Sequence, residues 1–143
     1  MQDQEIFDVG CAAGAYDMFH IGHLNLLRRA RERCRHLIAS VATDESVLAQ
    51  KGRRPIVPQE ERMEILRHID VVDEVVFHGA DHLELHAAHP FDAFFKGSDW
   101  KGTERGERLA AEFAQRGVTV VYLPYTESTS STHLRQVLEE LIP

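Results

Sequence analysis

The sequence has few of the features from which a cross-linked, membrane-spanning or nucleic-acid-binding protein is built. It has two cysteines, Cys11 and Cys34, whose spacing fits no metal or redox motif, so we expect reduced, buried thiols. It has no apolar run of 18 residues and no stretch that resembles a signal peptide, so we expect no membrane contact and a cytoplasmic location. Basic residues are outnumbered 23 to 16 by acidic ones, and the resulting net charge of −7 argues against general binding of nucleic acid.

Apolar residues, by contrast, are plentiful and regularly arranged. With 143 residues and 43% hydrophobic content, the chain is expected to form one domain, residues 1–143, around one core. Strand and helix patterns alternate along it, which predicts an α/β fold with a mostly parallel sheet covered on both faces. Five strands are predicted, at 6–13, 37–42, 71–77, 92–96 and 118–123. The helical pattern after the first strand is expected to extend to Cys34.

The most informative stretch lies between the first strand and its helix, Gly14 to His23, and reads G-x-Y-D-x-x-H-x-G-H. A turn between a strand and a helix exposes backbone N–H groups and the positive end of the helix dipole, which suits a phosphate. His20 and His23 are three positions apart and therefore share one face of the first turn. Two histidines alone would equally fit simple helix capping. The whole string resembles the signature of the H-x-G-H nucleotidyltransferases, which implies a Rossmann-like three-layer sandwich.

Further polar segments follow the other predicted strands: Thr43-Asp44, Gly97-Ser98-Asp99-Trp100 and Tyr125 to Thr132. Because ligands of parallel sheets bind beyond the carboxyl ends of the strands, these segments predict one site at that edge. Together with Gly14 to His23 and Arg62, they resemble the glycerol-3-phosphate cytidylyltransferase family, in order and over nearly the whole chain. The resemblance implies a homodimer that uses CTP and Mg²⁺ to make CDP-glycerol for teichoic acid biosynthesis.

The sequence departs from that family pattern at Ala15, Ser98 and Tyr125, where the family typically has threonine, aspartate and arginine. The Tyr125 departure removes a positive charge and leaves the acceptor open. A rival resemblance, carried by residues 52–62, is to the adenylyltransferase domain that activates heptose 1-phosphate. That domain usually has G-G-D-Y where this chain has Gly97-Ser98-Asp99-Trp100, so the tryptophan favours cytidylyl transfer.

The resemblance also implies roles for individual residues. His20 and His23 would donate hydrogen bonds to the phosphates in the transition state, and Asp17 would help to hold magnesium directly or through water. Lys51 and one of Arg53 or Arg54 would close over the triphosphate, and Arg62 would face a phosphate. Asp44 and Tyr125 are expected to contact the acceptor. The residues expected to bind the nucleotide are Ala15, Tyr16, Asp17, Gly22, Gly97, Asp99, Trp100, Thr126, Ser130, Ser131 and Thr132.

Most of these assignments have a plain structural alternative. The basic loop fits a solvated charge run, Arg62 fits a surface ion pair with Glu61 or Glu64, and Ser130, Ser131 and Thr132 fit helix capping. Trp100 fits a core position, and Tyr125 fits a loop or subunit contact. His82, His86 and His89 have a spacing that a metal could use, but they lack an aligned cysteine or acidic partner, so we expect ordinary, partly exposed histidines.

Three functions therefore follow from the sequence. The first is a cytidylyltransferase that acts on a small phosphorylated alcohol, with sn-glycerol 3-phosphate as the leading acceptor. The second is an adenylyltransferase that acts on a sugar phosphate. The third is a non-catalytic nucleotide-binding relative, which the Ala15 and Tyr125 departures favour and the intact His20, Gly22 and His23 oppose.

Overall fold

Strands and helices alternate through the computed structural model, which describes residues 5–124 and 130–142. The elements in chain order are β1 (Phe7–Gly14), α1 (Ile21–Arg31), β2 (Cys34–Ala42), α2 (Asp44–Lys51), α3 (Gln59–Arg67), β3 (Glu74–His78), α4 (His82–Ala88), β4 (Ala93–Gly97), a 3-10 turn (Ser98–Trp100), α5 (Glu104–Ala114), β5 (Thr119–Leu123) and α6 (Ser131–Leu141). The start signals predicted from the sequence act as expected. Thr43, for example, caps α2 by accepting a hydrogen bond from the Ser46 N–H at 3.2 Å.

The five strands form one parallel sheet in the order β3-β2-β1-β4-β5. The chain moves outward from β1 through β2 to β3 and then returns to the other side of β1 as β4. The carboxyl ends of β1 and β4 therefore flank the switch point of the topology, where open α/β sheets bind their ligands. The predicted Rossmann-like α/β fold with a five-stranded sheet is confirmed.

The core lies on both faces of this sheet, since successive side chains of a strand point to opposite faces. Ala12 and Phe95 belong to one buried cluster, with Leu27 of α1, whereas Cys11 and Phe94 belong to the other, with Phe113 of α5. The strands β1 and β4 are thus buried on both sides, as their apolar runs in the sequence predict. Cys11 and Cys34 are buried and free.

Three predicted boundaries are wrong, each by three residues: the start of the third strand, the end of the first helix and the start of the second strand. The third strand begins at Glu74 and not at Val71, because the Val72 N–H bonds to Ile69 O in a turn and the Asp73 carboxylate accepts a hydrogen bond from Leu37 N. The first helix ends at Arg31, and Cys34 begins β2, where it pairs with Phe7. In both places apolar residues of a turn or a strand continue the hydrophobic periodicity of the neighbouring element. The sequence pattern therefore extends past the end of that element.

Within residues 5–124 and 130–142, no helix is long and apolar enough to cross a membrane.

Candidate active site

The loop that joins β1 to α1 has an unusual backbone. Tyr16 and Met18 have φ values of 55° and 50°, although neither is glycine. Such conformations cost free energy and persist only where surrounding contacts hold them. One such contact is the buried Tyr16 hydroxyl, which donates a hydrogen bond to Ala12 O at 2.7 Å. The loop is therefore held in a strained shape directly before the two histidines.

His20 and His23 cap α1 reciprocally. His20 Nδ1 accepts a hydrogen bond from the Gly22 N–H at 3.1 Å, and His23 Nδ1 accepts one from the His20 N–H at 3.3 Å. Because Nδ1 is an acceptor in both rings, this pattern assigns the proton of each neutral ring to Nε2. Capping and ligand binding are thus compatible: the caps fix the tautomer and leave each Nε2–H as a donor.

Both histidines are held in the neutral form. Burial, with a smaller contribution from His20, lowers the pKa of His23 to about 3. Burial also lowers the pKa of His20. The rings stack with their centroids 3.8 Å apart, an arrangement that two imidazolium cations would disfavour. Near neutral pH the pair is therefore suited to donate hydrogen bonds and not to supply positive charge.

Asp17 connects the signature loop to two distant segments. Its carboxylate accepts hydrogen bonds from the backbone N–H groups of Ile56 and Val57 at 2.8 and 2.9 Å, and Arg135 Nη2 lies 2.9 Å from Oδ2. Asp17 is only 4% exposed. It therefore fixes the position of the loop after α2 and of the C-terminal helix relative to the histidines.

The start of α6 reaches the start of α1. Ser130 caps α6 by accepting a hydrogen bond from the His133 N–H, and the Ser131 hydroxyl donates to Asp17 O at 2.5 Å. His20 Nε2 lies 3.3 Å from the same hydroxyl. Two helix N-termini, each with unpaired N–H groups and a positive dipole end, thus converge on one place.

A cavity of about 320 Å³ opens at this convergence, a size typical of small-molecule sites. Its four basic lining residues come from three different parts of the chain: Lys51 and Arg53, Lys96, and Arg135. The acidic lining residues are Asp17, which is paired with Arg135, and Asp99. A protein of net charge −7 therefore presents a cationic cavity, which favours a polyanionic ligand.

Most residues that the sequence predicts for the site line this cavity. They are Ala15, Tyr16, Asp17, His20, Gly22, His23, Lys51, Gly97, Asp99, Ser130, Ser131 and Thr132. Tyr125 and Thr126 lie outside the described residues. Arg62, Asp44 and Trp100 are described but are not among the residues that line the cavity.

Arg62 lies behind the cavity wall, with its side chain fully buried. Its guanidinium donates to the carbonyl oxygens of Val57, Ala15 and Ala42 at 2.8, 2.6 and 2.8 Å, and to Asp44 Oδ1 at 2.7 Å. These four contacts tie the β1–α1 loop to the end of β2 and to the start of α2. The sequence predicts that Arg62 either faces a phosphate or forms a surface ion pair. Neither prediction matches this geometry, because the buried guanidinium points toward backbone carbonyl oxygens and Asp44.

Trp100 packs between two cations at the rim of the site. Lys96 Nζ lies 4.1 Å from the centre of its ring, and the Arg105 guanidinium carbon lies 4.4 Å from it. His82 approaches edge-on at 6.1 Å between ring centres. The ring thus anchors the segment after β4 and is engaged in cation–π contacts.

Two cavity residues, Arg135 and Lys96, were missed by the sequence reasoning. Arg135 follows Ser131 by four positions, so both lie on the same face of α6, and that spacing is the signal that could have found it. Lys96 immediately precedes Gly97 at the end of β4. Its charge at the end of an otherwise apolar strand is the sequence signal that could have identified it as a site residue.

The donor set does not fit magnesium held by the protein alone. Among residues 5–124 and 130–142, no group of three or more His, Cys, Asp and Glu side chains could hold a metal ion, and this includes His82, His86 and His89. Asp17, the predicted ligand, already accepts three hydrogen bonds, one of them from a cation. Of the roughly four lone pairs of the carboxylate, only one, on Oδ1, is left for an ion.

Two converging helix N-termini, a neutral histidine pair and a cationic cavity, all at the switch point of a parallel sheet, define a protein that binds a phosphorylated ligand, in the manner of a nucleotidyltransferase. Comparison with known proteins agrees. A model of the family described as "Cytidylyltransferase-like" matches residues 11–137. The chain belongs to this family of nucleotidyltransferases.

Its relatives differ in their substrates. The chain is 34% identical over 130 residues to glycerol-3-phosphate cytidylyltransferase of Bacillus spizizenii, which covers 90% of this chain and 95% of the relative. It is 32% identical over 133 residues to FAD synthase of Thermococcus kodakarensis, covering 90% and 88%. Among solved structures, a lipopolysaccharide core biosynthesis protein from Thermoplasma volcanium superposes with a TM-score of 0.71 at 23% identity, covering 86% of this chain and 99% of that one.

Proposed function

We propose that the protein, as a single nucleotidyltransferase domain, transfers CMP from CTP to a small phosphorylated alcohol, with sn-glycerol 3-phosphate as the leading acceptor. The reaction yields CDP-glycerol and pyrophosphate. The relative from Bacillus spizizenii supports this acceptor, because this chain covers 95% of its length. The observation that carries the proposal is the pair of neutral, stacked histidines, of which His20 places Nε2 3.3 Å from the Ser131 hydroxyl at the N-terminus of α6.

The chemistry needs no covalent enzyme intermediate. An oxygen of the acceptor phosphate attacks the α-phosphorus in line, the bond from that phosphorus to the bridging oxygen breaks, and the bridging oxygen leaves with pyrophosphate. Charge builds on the non-bridging and leaving oxygens, so catalysis consists of positioning and electrostatic stabilisation. His20 and His23 supply hydrogen bonds to these oxygens, while Lys51, Arg53 and Arg135 balance the charge of the triphosphate.

Magnesium enters this proposal as a partner of the nucleotide. A divalent ion bound to the triphosphate would neutralise part of its charge, and the protein would contact the complex mainly through its cations and N–H groups. In this arrangement Asp17 organises the surrounding loops and would reach the ion through the free lone pair of Oδ1 or through water.

Arg62 and Asp44 support catalysis from behind the cavity. Arg62, paired with Asp44, donates hydrogen bonds to the carbonyl oxygens of Ala15 and Val57. Ala15 belongs to the signature loop, and the Val57 N–H is one of the donors that hold Asp17 of that loop. We assign Arg62 and Asp44 to positioning and not to contact with the acceptor.

A second candidate function is adenylyl transfer, which the FAD synthase relative favours. FAD consists of AMP joined to the phosphate of a flavin nucleotide, so the same site chemistry would serve a larger acceptor. A third is nucleotide binding without turnover.

A screen of pyrophosphate release tests all three functions. Each of the four nucleoside triphosphates is incubated with Mg²⁺ and with glycerol 3-phosphate, a sugar 1-phosphate or flavin mononucleotide. Release with CTP and glycerol 3-phosphate alone is expected. Release with ATP and either other acceptor would move the assignment to adenylyl transfer, and no release from any pair would favour the binding protein.

Nucleotide preference has a separate test that needs no acceptor. Isothermal titration with CTP and with ATP, both as magnesium complexes, should give tighter binding of CTP. Tighter binding of ATP would contradict the cytidylyl assignment.

We also propose a homodimer. The last helix offers exposed apolar side chains to a partner: Val137, Leu138 and Leu141 are 37%, 40% and 73% exposed. Light scattering at micromolar concentration should give twice the chain mass of 16.3 kDa. A Leu138→Glu variant should shift the mass toward the monomer, and a monomeric wild-type protein would refute the proposal.

A further inference from the structure

Lys96 stands apart from the other cations of the cavity. It ends an apolar strand, β4, and lines the cavity together with Gly97 and Asp99. In the described part of the chain it has no acidic partner within 4 Å, and its ammonium group rests on the face of Trp100. A lysine held in a cavity with an aromatic ring for a partner retains hydrogen-bond donors for a ligand.

The charges around Lys96 differ from those around the histidine pair. Burial is the main cause that lowers the pKa of both Lys96 and His23; among the neighbouring charges, Asp99, Arg105 and Lys51 act on Lys96, whereas His20, Asp17 and Lys51 act on His23. The cations that line the cavity lie at different places in the fold: Arg135 pairs with Asp17 at the helix N-termini, whereas Lys96 lies against Trp100 at the end of β4. Lys51 is close enough to influence both places.

Nucleotidyl transfer requires two anionic groups to approach each other. The attacking phosphate carries nearly two negative charges near neutral pH, and the triphosphate carries more, so each needs its own counter-charge. The helix N-termini with His20 and His23 suit the triphosphate. We propose that Lys96 binds the phosphate group of the acceptor and, with Lys51, holds it against the triphosphate. This inference rests on the proposed function for the identity of the acceptor, but not for the presence of a second anion subsite.

The surroundings of Lys96 make this subsite sensitive to pH. Burial lowers its pKa to about 8, opposed by Asp99 and assisted by Arg105 and Lys51. The charged and titratable groups that face it are Lys51 of α2, His78 at the end of β3, His82 of α4, Asp99 and Arg105 of α5. Lys96 is therefore cationic below pH 8, and the charge that attracts a phosphate is lost as pH rises through about 8.

The same desolvation predicts how variants fold. A lysine whose pKa is lower in the folded than in the unfolded state destabilises the protein at neutral pH, where both states are protonated. Replacing Lys96 by methionine, which keeps the stem and removes the charge, should therefore raise the melting temperature by a few degrees. A folded, more stable variant makes a loss of binding interpretable.

Binding is measured by isothermal titration with glycerol 3-phosphate and with inorganic phosphate. The fluorescence emission of Trp100, the single tryptophan, reports changes next to Lys96. The Lys96→Met variant should lose at least tenfold in affinity for both probes and less than threefold for CTP. The Lys96→Arg variant should retain binding at pH 9, where the wild-type protein loses it. Lys101→Met removes an exposed lysine five positions later and should match the wild type.

Three results would overturn the inference. They are wild-type protein that binds neither probe at millimolar concentration, Lys96→Met protein that binds both normally, and a larger loss of affinity for CTP than for the phosphates. A different result would refute the proposed function without refuting this inference. Phosphate binding that depends on Lys96, without pyrophosphate release from any nucleotide and acceptor pair, would leave the anion subsite in place and remove the reaction.

Discussion

Arg135 and Asp17 form an ion pair with Nη2 and Oδ2 2.9 Å apart, although 118 positions separate them in the chain. The pair joins the C-terminal helix to the signature loop. Its side chains are 16% and 5% exposed, so solvent screens it less than a surface pair. The two helix N-termini that frame the cavity are therefore held together by a contact between the first and last parts of the described fold.

Replacing Arg135 by alanine should lower the free energy of unfolding by about 1–3 kcal/mol, because a nearly buried carboxylate loses one of its three partners. Affinity for CTP should also fall. Urea unfolding and isothermal titration measure the two effects. The control is Arg67→Ala, which removes an exposed pair with Glu64 and should cost under about 0.5 kcal/mol. Equal stability of the two variants would contradict a bracing role for Arg135.

The histidine pair should dominate the rate. Removing either His20 or His23 by alanine substitution should lower turnover at least about 100-fold, since a transition-state donor of this kind is worth about 3–4 kcal/mol. Circular dichroism should show an intact fold. His23 should contribute no titration to the pH profile between 5 and 8, because burial lowers its pKa to about 3, and the pKa of His20 is also lowered. Near-normal turnover in either variant would remove the central premise of the mechanism.

Acid should destabilise the protein through buried histidines outside the cavity. Burial lowers the pKa of His78 to about 3 and of His82 to about 4, while the unfolded chain still titrates near 6.5. As pH falls from 6.5 to 4, the unfolded state binds these protons first, so stability falls by up to about 1.4 kcal/mol per pH unit for each ring.

The test is the slope of unfolding free energy against pH between 6 and 4. His82→Phe should flatten that slope by about 1 kcal/mol per pH unit, because phenylalanine keeps the edge-on packing against Phe94 and cannot bind a proton. His133→Phe removes an exposed histidine of α6, and it should leave the slope unchanged. A slope that is identical in both variants would exclude His82 as a source of acid sensitivity.

The order of the elements and the sheet edge that carries the site could be predicted from local patterns in the sequence. Arg62 shows what could not. A helix position preceded by two glutamates indicates a surface arginine, yet the fold turns its guanidinium inward toward carbonyl groups that become neighbours only when β1, β2 and α3 pack. Lys96 was missed for a related reason, since its contact with the Trp100 ring exists only once the turn after β4 has folded.

The network around Arg62 leads to a prediction that separates positioning from ligand contact. The ammonium group of a lysine has three donors and no planar fork, so it cannot donate hydrogen bonds to the three carbonyl oxygens and the carboxylate that Arg62 contacts. Arg62→Lys should therefore lower unfolding free energy by about 2–4 kcal/mol, because buried acceptors lose their donors. It should lower kcat while the KM for CTP stays within a factor of about three. Unchanged stability with a sharply raised KM would instead indicate direct phosphate contact.

The final prediction concerns Gly106, where helix propensity and tertiary packing have opposite consequences. Gly106 lies in the first turn of α5, and alanine in a helix is ordinarily more favourable than glycine by about 0.5–1 kcal/mol. A Cβ there, however, would lie 2.1 Å from Trp100 O and 2.8 Å from the Tyr122 hydroxyl oxygen. The turn that carries Trp100 would have to shift, so Gly106→Ala should destabilise the protein by about 1–3 kcal/mol.

The shift should also reach the ligand site, because Trp100 anchors the segment that presents Asp99 and lies against Lys96. Emission of Trp100 in the Gly106→Ala variant should differ from that of the wild type, and affinity for glycerol 3-phosphate should fall. Gly79→Ala is the matched control, since a Cβ at Gly79 meets no atom within 4 Å and should leave stability, emission and binding nearly unchanged. A Gly106→Ala protein more stable than the wild type, with unaltered emission, would mean that helix propensity outweighs the contact and that the Trp100 turn moves freely.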